Sequence, residues 1–415
     1  MIRMNKHVID DARRCLQCKD PSCMKGCPVN TPVKEAIRMF LDSRIEEAGK
    51  LLFDNNPLSI TCSLICPQEN QCEGHCVLGK KGMPVQISAI EQYISDYFLS
   101  TYHPRPSLKN RGRVAIVGSG PAGITIAVSL AEKNYDITIF DGNDQIGGIL
   151  RYGIPEFRLP KSVLDRLKDV MLNAGIKIRP NTTIGASITI EELFRDGYRA
   201  VFIGTGTWRP MRLGVKGESL GHVHFAVEYL HNPDVYRLGR TVVIIGAGNV
   251  AMDVARTALR HGSKEVYVVS NRDSLSVRAR EVEVEYAKID GVQFEYNKSA
   301  VEIVDEGIIF ADSRVYTNED GAEMVAPIAG SEQLFPADSI IIAISQGPRS
   351  VVLSSTEGIE VKDDGLIVTD DYGRTTREGI FASGDVVSGA KTVVEAVRAS
   401  KHVAEAIHQY ITEKY

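Results

Sequence analysis

All eight cysteines of this 415-residue chain lie between Cys15 and Cys76, and the rest of the chain has none. The first run reads Cys15, Cys18, Cys23, Cys27 and then Pro28; the second reads Cys62, Cys66, Pro67, Cys72 and Cys76. So many thiols in so short a stretch dictate that it folds around whatever they bind. In a small secreted domain they would pair as disulfides. The first residues, MIRMNKHVIDDARRC, are charged and carry no apolar h-region, so no secretory signal is expected and the thiols are expected to stay reduced in a cytosol. Zinc held by CxxC knuckles is one alternative, and a redox disulfide is another. Each run has a Cys-Pro, and the first closes in C-x3-C-P, the ending of bacterial ferredoxin motifs. That favours two iron–sulfur clusters. In two-cluster ferredoxins the cysteine before the proline serves the other cluster. By that analogy Cys15, Cys18 and Cys23 hold one cluster, Cys27 reaches a second, and the second run completes both.

Between the runs, VKEAIRMFLDSRIEEAGKLLFDNN repeats its apolar residues at helical spacing, and ISAIEQYISDYFLS reads as another helix. Residues 1–108 are therefore expected to form a small helical domain. The polar stretch 101–110, with two prolines, reads as a linker. The length suits two or three domains of roughly 100–200 residues. Hydrophobic residues make up 43% and charged residues 24%, an ordinary globular balance. A net charge of −5 gives no support for a nucleic-acid partner. No apolar run approaches the roughly 18 residues a membrane span needs. A cytoplasmic protein with no membrane partner is the expectation.

The glycines are grouped as tellingly as the cysteines. Arg113-Val-Ala-Ile-Val117 is a short apolar strand, Gly118-Ser-Gly120-Pro-Ala122-Gly123 follows, and a helical pattern comes next. A second strand, Asp136–Phe140, ends at Asp141. This is G-x-G-x-x-G in the context it needs, with an acid about 20 residues on. The glycines let the backbone approach a pyrophosphate at a helix N-terminus, and Asp141 is expected to bond ribose hydroxyls. The pattern recurs as Thr241–Ile245, then Gly246-Ala-Gly248-Asn249-Val250-Ala251, then the strand Glu265–Val269. Here no acid follows; Ser270-Asn271-Arg272 does, with Arg278 six residues beyond. Arginine at this point favours a 2′-phosphate, so NADP(H) is expected, with NAD(H) left open. The other reading of Arg272 and Arg278 is a pair of solvated surface cations. Two later turns, Thr205-Gly206 and Gly384-Asp385, close further βα units. The second dinucleotide fold thus interrupts the first. The expected domains are 1–108 (iron–sulfur), 109–235 with 336–415 (FAD), and 236–335 (nicotinamide).

Together the Gly118–Gly123 and Gly246–Ala251 turns with Gly384-Asp385 resemble the two-dinucleotide flavoprotein reductases, whose fold is glutathione-reductase-like. The implied fold class is α/β, two nested Rossmann-like dinucleotide-binding domains preceded by an α-helical iron–sulfur domain. Gly147-Gly148, the stretch Tyr152–Pro160 and Asn249–Asp253 match as well. The cysteine runs narrow the resemblance to the glutamate synthase small (beta) subunit and the N-terminal half of dihydropyrimidine dehydrogenase. The compact length and the ending KTVVEAVRASKHVAEAIHQYI resemble most the bacterial stand-alone dihydropyrimidine dehydrogenase subunit.

The resemblance implies ligands. Cys15, Cys18, Cys23 and Cys76 would hold one 4Fe–4S cluster; Cys27, Cys66, Cys72 and Gln92 would hold the other, leaving Cys62 spare. It implies FAD at Gly118, Gly120, Ala122, Gly123, Asp141 and Gly148, with Arg158 on phosphate, Gly384 and Asp385 at the ribitol, and Thr392 and Val393 at the isoalloxazine edge. For the nicotinamide dinucleotide it implies Gly246, Gly248, Asn249, Val250 and Arg278, with Gln346 and Gly347 nearby. Asn271 stands where NADPH-using relatives often have arginine; Arg272 is the substitute.

The function implied is hydride transfer from NAD(P)H to FAD, then single electrons through two clusters to an FMN-containing catalytic subunit of a hetero-oligomer. The alternatives are the small subunit of NADPH-dependent glutamate synthase, a stand-alone NAD(P)H:ferredoxin-type oxidoreductase, and a non-catalytic redox sensor. No C-x4-C dithiol follows the flavin turn, so disulfide reduction is not expected. The nine histidines show no metal spacing, Trp208 is expected to pack, and RAREVEVEYAK, Arg278 apart, reads as a solvated helix.

Overall fold

In the computed structural model, which describes residues 6–106, 108–318 and 321–415, the cysteine-bearing segment is helical. Its helices are α1 (Lys6–Ala12), α2 (Ser22–Lys25), α3 (Val33–Leu41), α4 (Ile45–Asn55), α5 (Ser59–Ile65) and α6 (Ile87–Thr101). In α3 the residues Val33, Ala36, Ile37 and Phe40 recur at helical spacing and are buried together. They meet Leu52 of α4 and Ile87, Ile90 and Ile94 of α6 in one core.

The short apolar run before the first glycine turn forms β1 (Arg113–Val117). It pairs in parallel with β2 (Asp136–Phe140), Val117 opposite Phe140, so Gly118 and Asp141 leave the sheet side by side. β3 (Lys177–Arg179) and β4 (Tyr198–Ile203) flank them, and the strand Ile380–Ala382 completes a five-stranded sheet on the far side of β4. All pairings are parallel. Such a sheet needs cover on both faces. One cover includes α7 (Pro121–Glu132), which begins with proline at its first turn. The C-terminal helix Val393–Lys414 lies against α7, tied at Tyr135 Oη to His408 Nδ1, 2.8 Å. This sheet and the cysteine helices form one compact unit, joined by Arg166–Asp96 (2.6 Å) and by Lys401 Nζ donating to Asn55 O (2.7 Å).

The second unit comprises Trp208–Gln346 with Tyr152–Pro155. Its five-stranded sheet runs Val223–Phe225, Ser339–Ile342, Thr241–Ile245, Glu265–Val269, Gln293–Glu295, all parallel; the last four repeat the order of the first sheet, while the edge strand comes earliest in the chain instead of last. A second, antiparallel sheet contains Lys298–Val304, Gly307–Thr317, Glu323–Pro327 and Gln333–Pro336. The expected borders at 235 and 336 fall inside this unit. The reason is Ser339–Ile342, which pairs with both Val223–Phe225 and Thr241–Ile245 and so draws both flanks into the nicotinamide-type sheet. The stretch expected to be a solvated helix is the helix Glu281–Asp290, but Glu283 on it is buried and paired with Arg256 at 3.3 Å. Trp208 packs edge-on to His231, itself stacked on Tyr152.

Candidate functional site

The first glycine turn is built by close backbone contact. Gly118 has φ +101°, and a Cβ there would lie 2.5 Å from the Gly204 carbonyl oxygen. A Cβ on Gly123 would come within 1.9 Å of the Gly118 oxygen, so helix and strand cannot separate to admit one. Gly120, the cap of α7, faces open space instead. Beside this opening lie Gly148, packed on Gly120, and Gly384, packed on Ala122. The Thr207 hydroxyl just beyond Gly206 is buried and has no hydrogen-bond partner among the described residues. An open cap at a helix N-terminus, a backbone that excludes side chains and an orphaned hydroxyl fit a dinucleotide diphosphate.

Asp141 is buried, and its carboxylate accepts from Ser119 N (2.7 Å), Ser119 Oγ, Asn143 N (2.8 Å) and Asn143 Nδ2 (3.1 Å). Those donors fill its lone pairs, so a ribose hydroxyl would have to displace one of them. Asp385 accepts from Lys391 N at 3.2 Å, and burial pushes its carboxyl up to about 6. Next to it, Thr392 caps the C-terminal helix in a reciprocal capping box with Glu395. The amides of Val393 and Val394, at the first two helical positions, have no intrahelical acceptor and form a positive end. Arg158 is half-buried in the same unit.

The second turn repeats the construction. Gly246 has φ +117° and abuts the Ala343 oxygen, while Gly248 opens onto space. The loop after Glu265–Val269 folds back over it: Ala279 N donates to Ala247 O (3.1 Å) and Arg280 N to Asn249 Oδ1 (2.9 Å). Val250 follows, half-buried, and Arg278 is exposed on this loop. The guanidinium of Arg272 donates to Glu323 at 2.8 Å. Gln346 ends the second unit and Gly347 resumes the first.

The thiols gather into two pockets. Cys15, Cys18, Cys23 and Cys76 line the first, together with Val33 and Ile87. Cys27, Cys62, Cys66 and Cys72 line the second, again with Val33 and Ile87. These two buried side chains therefore wall one pocket from the other. Burial pushes the Cys23 thiol up to about 11 and raises Cys72 further; contact with Cys62, then burial, raises Cys66. Among the described residues no three His, Cys, Asp or Glu side chains converge as the ligands of one ion would. Four thiols lining each pocket are donors of the kind iron–sulfur clusters take.

Gln92 is not in the second pocket. It is exposed on α6. Glu91, one residue earlier, lines the pocket instead, and burial pushes its carboxyl up to about 8. The helix is set by Glu73, which accepts from Ser88 N (2.8 Å) and Ser88 Oγ (2.6 Å). A signal for Glu91 was present: Ile87, Ile90 and Ile94 mark the buried face of α6, and Glu91 falls four residues after Ile87 on that stripe. Val394 was also missed. It lines the second pocket from the first turn of the C-terminal helix, next to Val393.

The profile of the pyridine nucleotide-disulphide oxidoreductases matches residues 112–400. The chain belongs to that family. A second profile, described as dihydropyrimidine dehydrogenase domain II, 4Fe-4S cluster, matches residues 2–102. This pyridine nucleotide-disulphide oxidoreductase is 33% identical over 428 residues to the glutamate synthase [NADPH] small chain of Escherichia coli (strain K12), covering 96% of this chain and 90% of that one. It is 33% identical over 413 residues to the NAD-dependent dihydropyrimidine dehydrogenase subunit PreT of Salmonella typhimurium, covering 98% and 95%. Among solved structures, Mycobacterium tuberculosis FprA in complex with NADPH superposes with a TM-score of 0.63 at 19% identity, over 74% of this chain and 85% of that one, a likeness of fold. The family member described here is thus an NAD(P)H-dependent oxidoreductase of the FAD-binding, 4Fe–4S-bearing kind. No described helix is long and apolar enough to cross a membrane.

Proposed function

We propose that this chain is the electron-input subunit of a cytoplasmic hetero-oligomer, feeding electrons from NAD(P)H to an FMN-containing subunit that reduces uracil or thymine. The observation that carries the reading is a succession within one unit: the flavin-type turn, Val393 and Val394, the second thiol pocket, the Val33–Ile87 wall, and the first thiol pocket. FAD, when bound, supplies two-electron acceptance from NAD(P)H and one-electron donation to the clusters.

The chain's own residues bind and orient. Gly118, Gly120, Ala122 and Gly123 present backbone to the diphosphate, with Gly148 and Gly384 allowing close approach and Arg158 adding charge. Asp141 fixes the turn through Ser119. Asp385 faces the ribitol. Thr392 caps the helix whose Val393 amide end stabilises negative charge at the isoalloxazine edge. Gly246, Gly248, Asn249 and Val250 receive the nicotinamide dinucleotide, Gln346 and Gly347 lie on its path, and Arg278 takes the 2′-phosphate of NADP(H). Cys15, Cys18, Cys23 and Cys76 hold the first cluster. Cys27, Cys66 and Cys72 hold the second, with Glu91 in the place expected for Gln92.

The glutamate synthase reading has its own support in the Escherichia coli small chain, equally identical over 96% of this chain. Anaerobic capture of the tagged protein from its native host separates the two. Co-purification of an FMN subunit that reduces uracil with NAD(P)H supports the proposal. Co-purification of a subunit that makes glutamate from glutamine and 2-oxoglutarate replaces it, and turnover of soluble ferredoxin without any partner overturns both.

A further inference from the structure

The thiol of Cys62 is unused by the ligand sets above, yet it is built into the second pocket. It lies one helical turn before Cys66 on α5, and both residues are buried. Cys66 N donates to the Cys62 carbonyl at 3.0 Å, so the two side chains leave the same face one turn apart, and both line the second pocket. On its other side Cys62 Sγ accepts from Asn56 Nδ2 at 3.2 Å. Asn56 is itself buried, and its Oδ1 accepts from Leu58 N at 2.9 Å. That backbone contact settles which end of the amide faces the sulfur: the oxygen is engaged by an N–H, so the NH2 group points at Cys62. A thiol whose lone pair receives an N–H has its own S–H left to give, and its neighbour is the sulfur of Cys66.

We propose that Cys62 is a positioning residue whose S–H, aimed by Asn56, donates to the Cys66 sulfur and raises the reduction potential of the second cluster. Hydrogen bonds to ligating sulfur withdraw electron density and favour the reduced state. The relay Leu58 N–H to Asn56, Asn56 to Cys62, Cys62 to Cys66 is neutral throughout, so it adds no buried charge. Thr31 Oγ1, 3.1 Å from Cys27 Sγ, stands against another thiol of the same pocket. The potential of this cluster sets how readily it takes electrons arriving past Val394.

This inference rests on a cluster occupying the second pocket, and the experiment keeps the two claims apart. The full chain, loaded anaerobically, is compared with Cys62→Ala and Cys62→Ser by iron and sulfide content, flavin content, and redox titration followed by electron paramagnetic resonance. The expected result is unchanged iron and flavin, with the second cluster's potential moved to a more negative value in C62A and by a smaller amount in C62S. Unchanged potential overturns the relay while leaving the cluster assignment intact. Loss of one cluster's iron in C62A overturns it differently, making Cys62 a ligand. Iron for a single cluster in the unmodified chain refutes the two-cluster reading itself. Electron–nuclear double resonance of the unmodified protein in H2O and D2O serves if C62A does not fold. An exchangeable proton coupled to the second cluster is expected, and its absence refutes the relay.

Discussion

Glu91 and Gln92 are neighbours on α6 that face opposite ways, Glu91 into the pocket of Cys27, Cys66 and Cys72 and Gln92 out to solvent. A carboxylate beside four thiols, pushed up to about 8 by burial, is costly in its charged form unless a positive group meets it. Glu91→Ala is therefore expected to lose the second cluster, cutting iron content by about half, while Gln92→Ala keeps both. Iron analysis and electron paramagnetic resonance of the two variants side by side check this. Equal retention in both would remove Glu91 from the ligand set.

The glycine contacts separate folding from binding. Gly123→Ala drives a Cβ onto the Gly118 oxygen and is expected to cost more than the ~1–3 kcal/mol of an ordinary overpacked core site. Gly120→Ala meets nothing among the described residues and is expected to fold normally but hold little flavin. Thermal unfolding and visible flavin absorption, measured on both, should show the two defects apart.

Asp385 makes stability depend on pH. Its carboxyl, ordinarily at 3.8, is pushed up to about 6 by burial. The folded chain holds a proton there that the unfolded chain has already released. The contribution is full below the unfolded value and is lost as the pH rises through about 6. In flavin-free protein, Asp385→Asn should therefore gain on the parent chain between about pH 4 and about pH 7, by up to about 3 kcal/mol. Denaturant midpoints across that range give the answer; a constant difference would mean the carboxyl titrates normally.

The role proposed for Arg278 at a 2′-phosphate is testable on its own, because Arg272 is paired with Glu323. Arg278→Ala is expected to weaken NADPH by about 1.5–3 kcal/mol, roughly ten- to hundredfold, with little change for NADH. Steady-state KM values for the two nucleotides distinguish this from a merely solvated side chain, which would alter neither.

What could be read from the sequence was local. The Gly118–Gly123 and Gly246–Ala251 turns declare themselves because strand, glycine spacing and helix are contiguous, and the thiols because their spacing is short. The pocket lining by Glu91 follows from the phase set by Ile87, Ile90 and Ile94, and Gln92, one residue on, is turned by about 100° away from it. The strand Val223–Phe225, which falls before the expected border at 235, has three residues and is recognisable only through its pairing with Ile340 and Ile342. Arg272 reads as a phosphate ligand in isolation; its engagement depends on Glu323, some fifty positions away, on the antiparallel sheet.

The strand Ile380–Ala382 lies beside β4 as the outermost member of the first sheet, although more than half the chain separates it from β1. On the ribosome, β1 to β4 emerge early and must wait, with one edge unpaired, until the nicotinamide unit has been made and has passed. Gly384, Asp385 and Thr392 come out later still. A chain cut short between about residues 260 and 380 would hold its cysteines and both glycine turns but would lack the strand Ile380–Ala382 and the residues Gly384, Asp385 and Thr392. Capture of the flavin therefore acts as a test of completed synthesis, and truncated products are left with an open sheet edge for proteases to find.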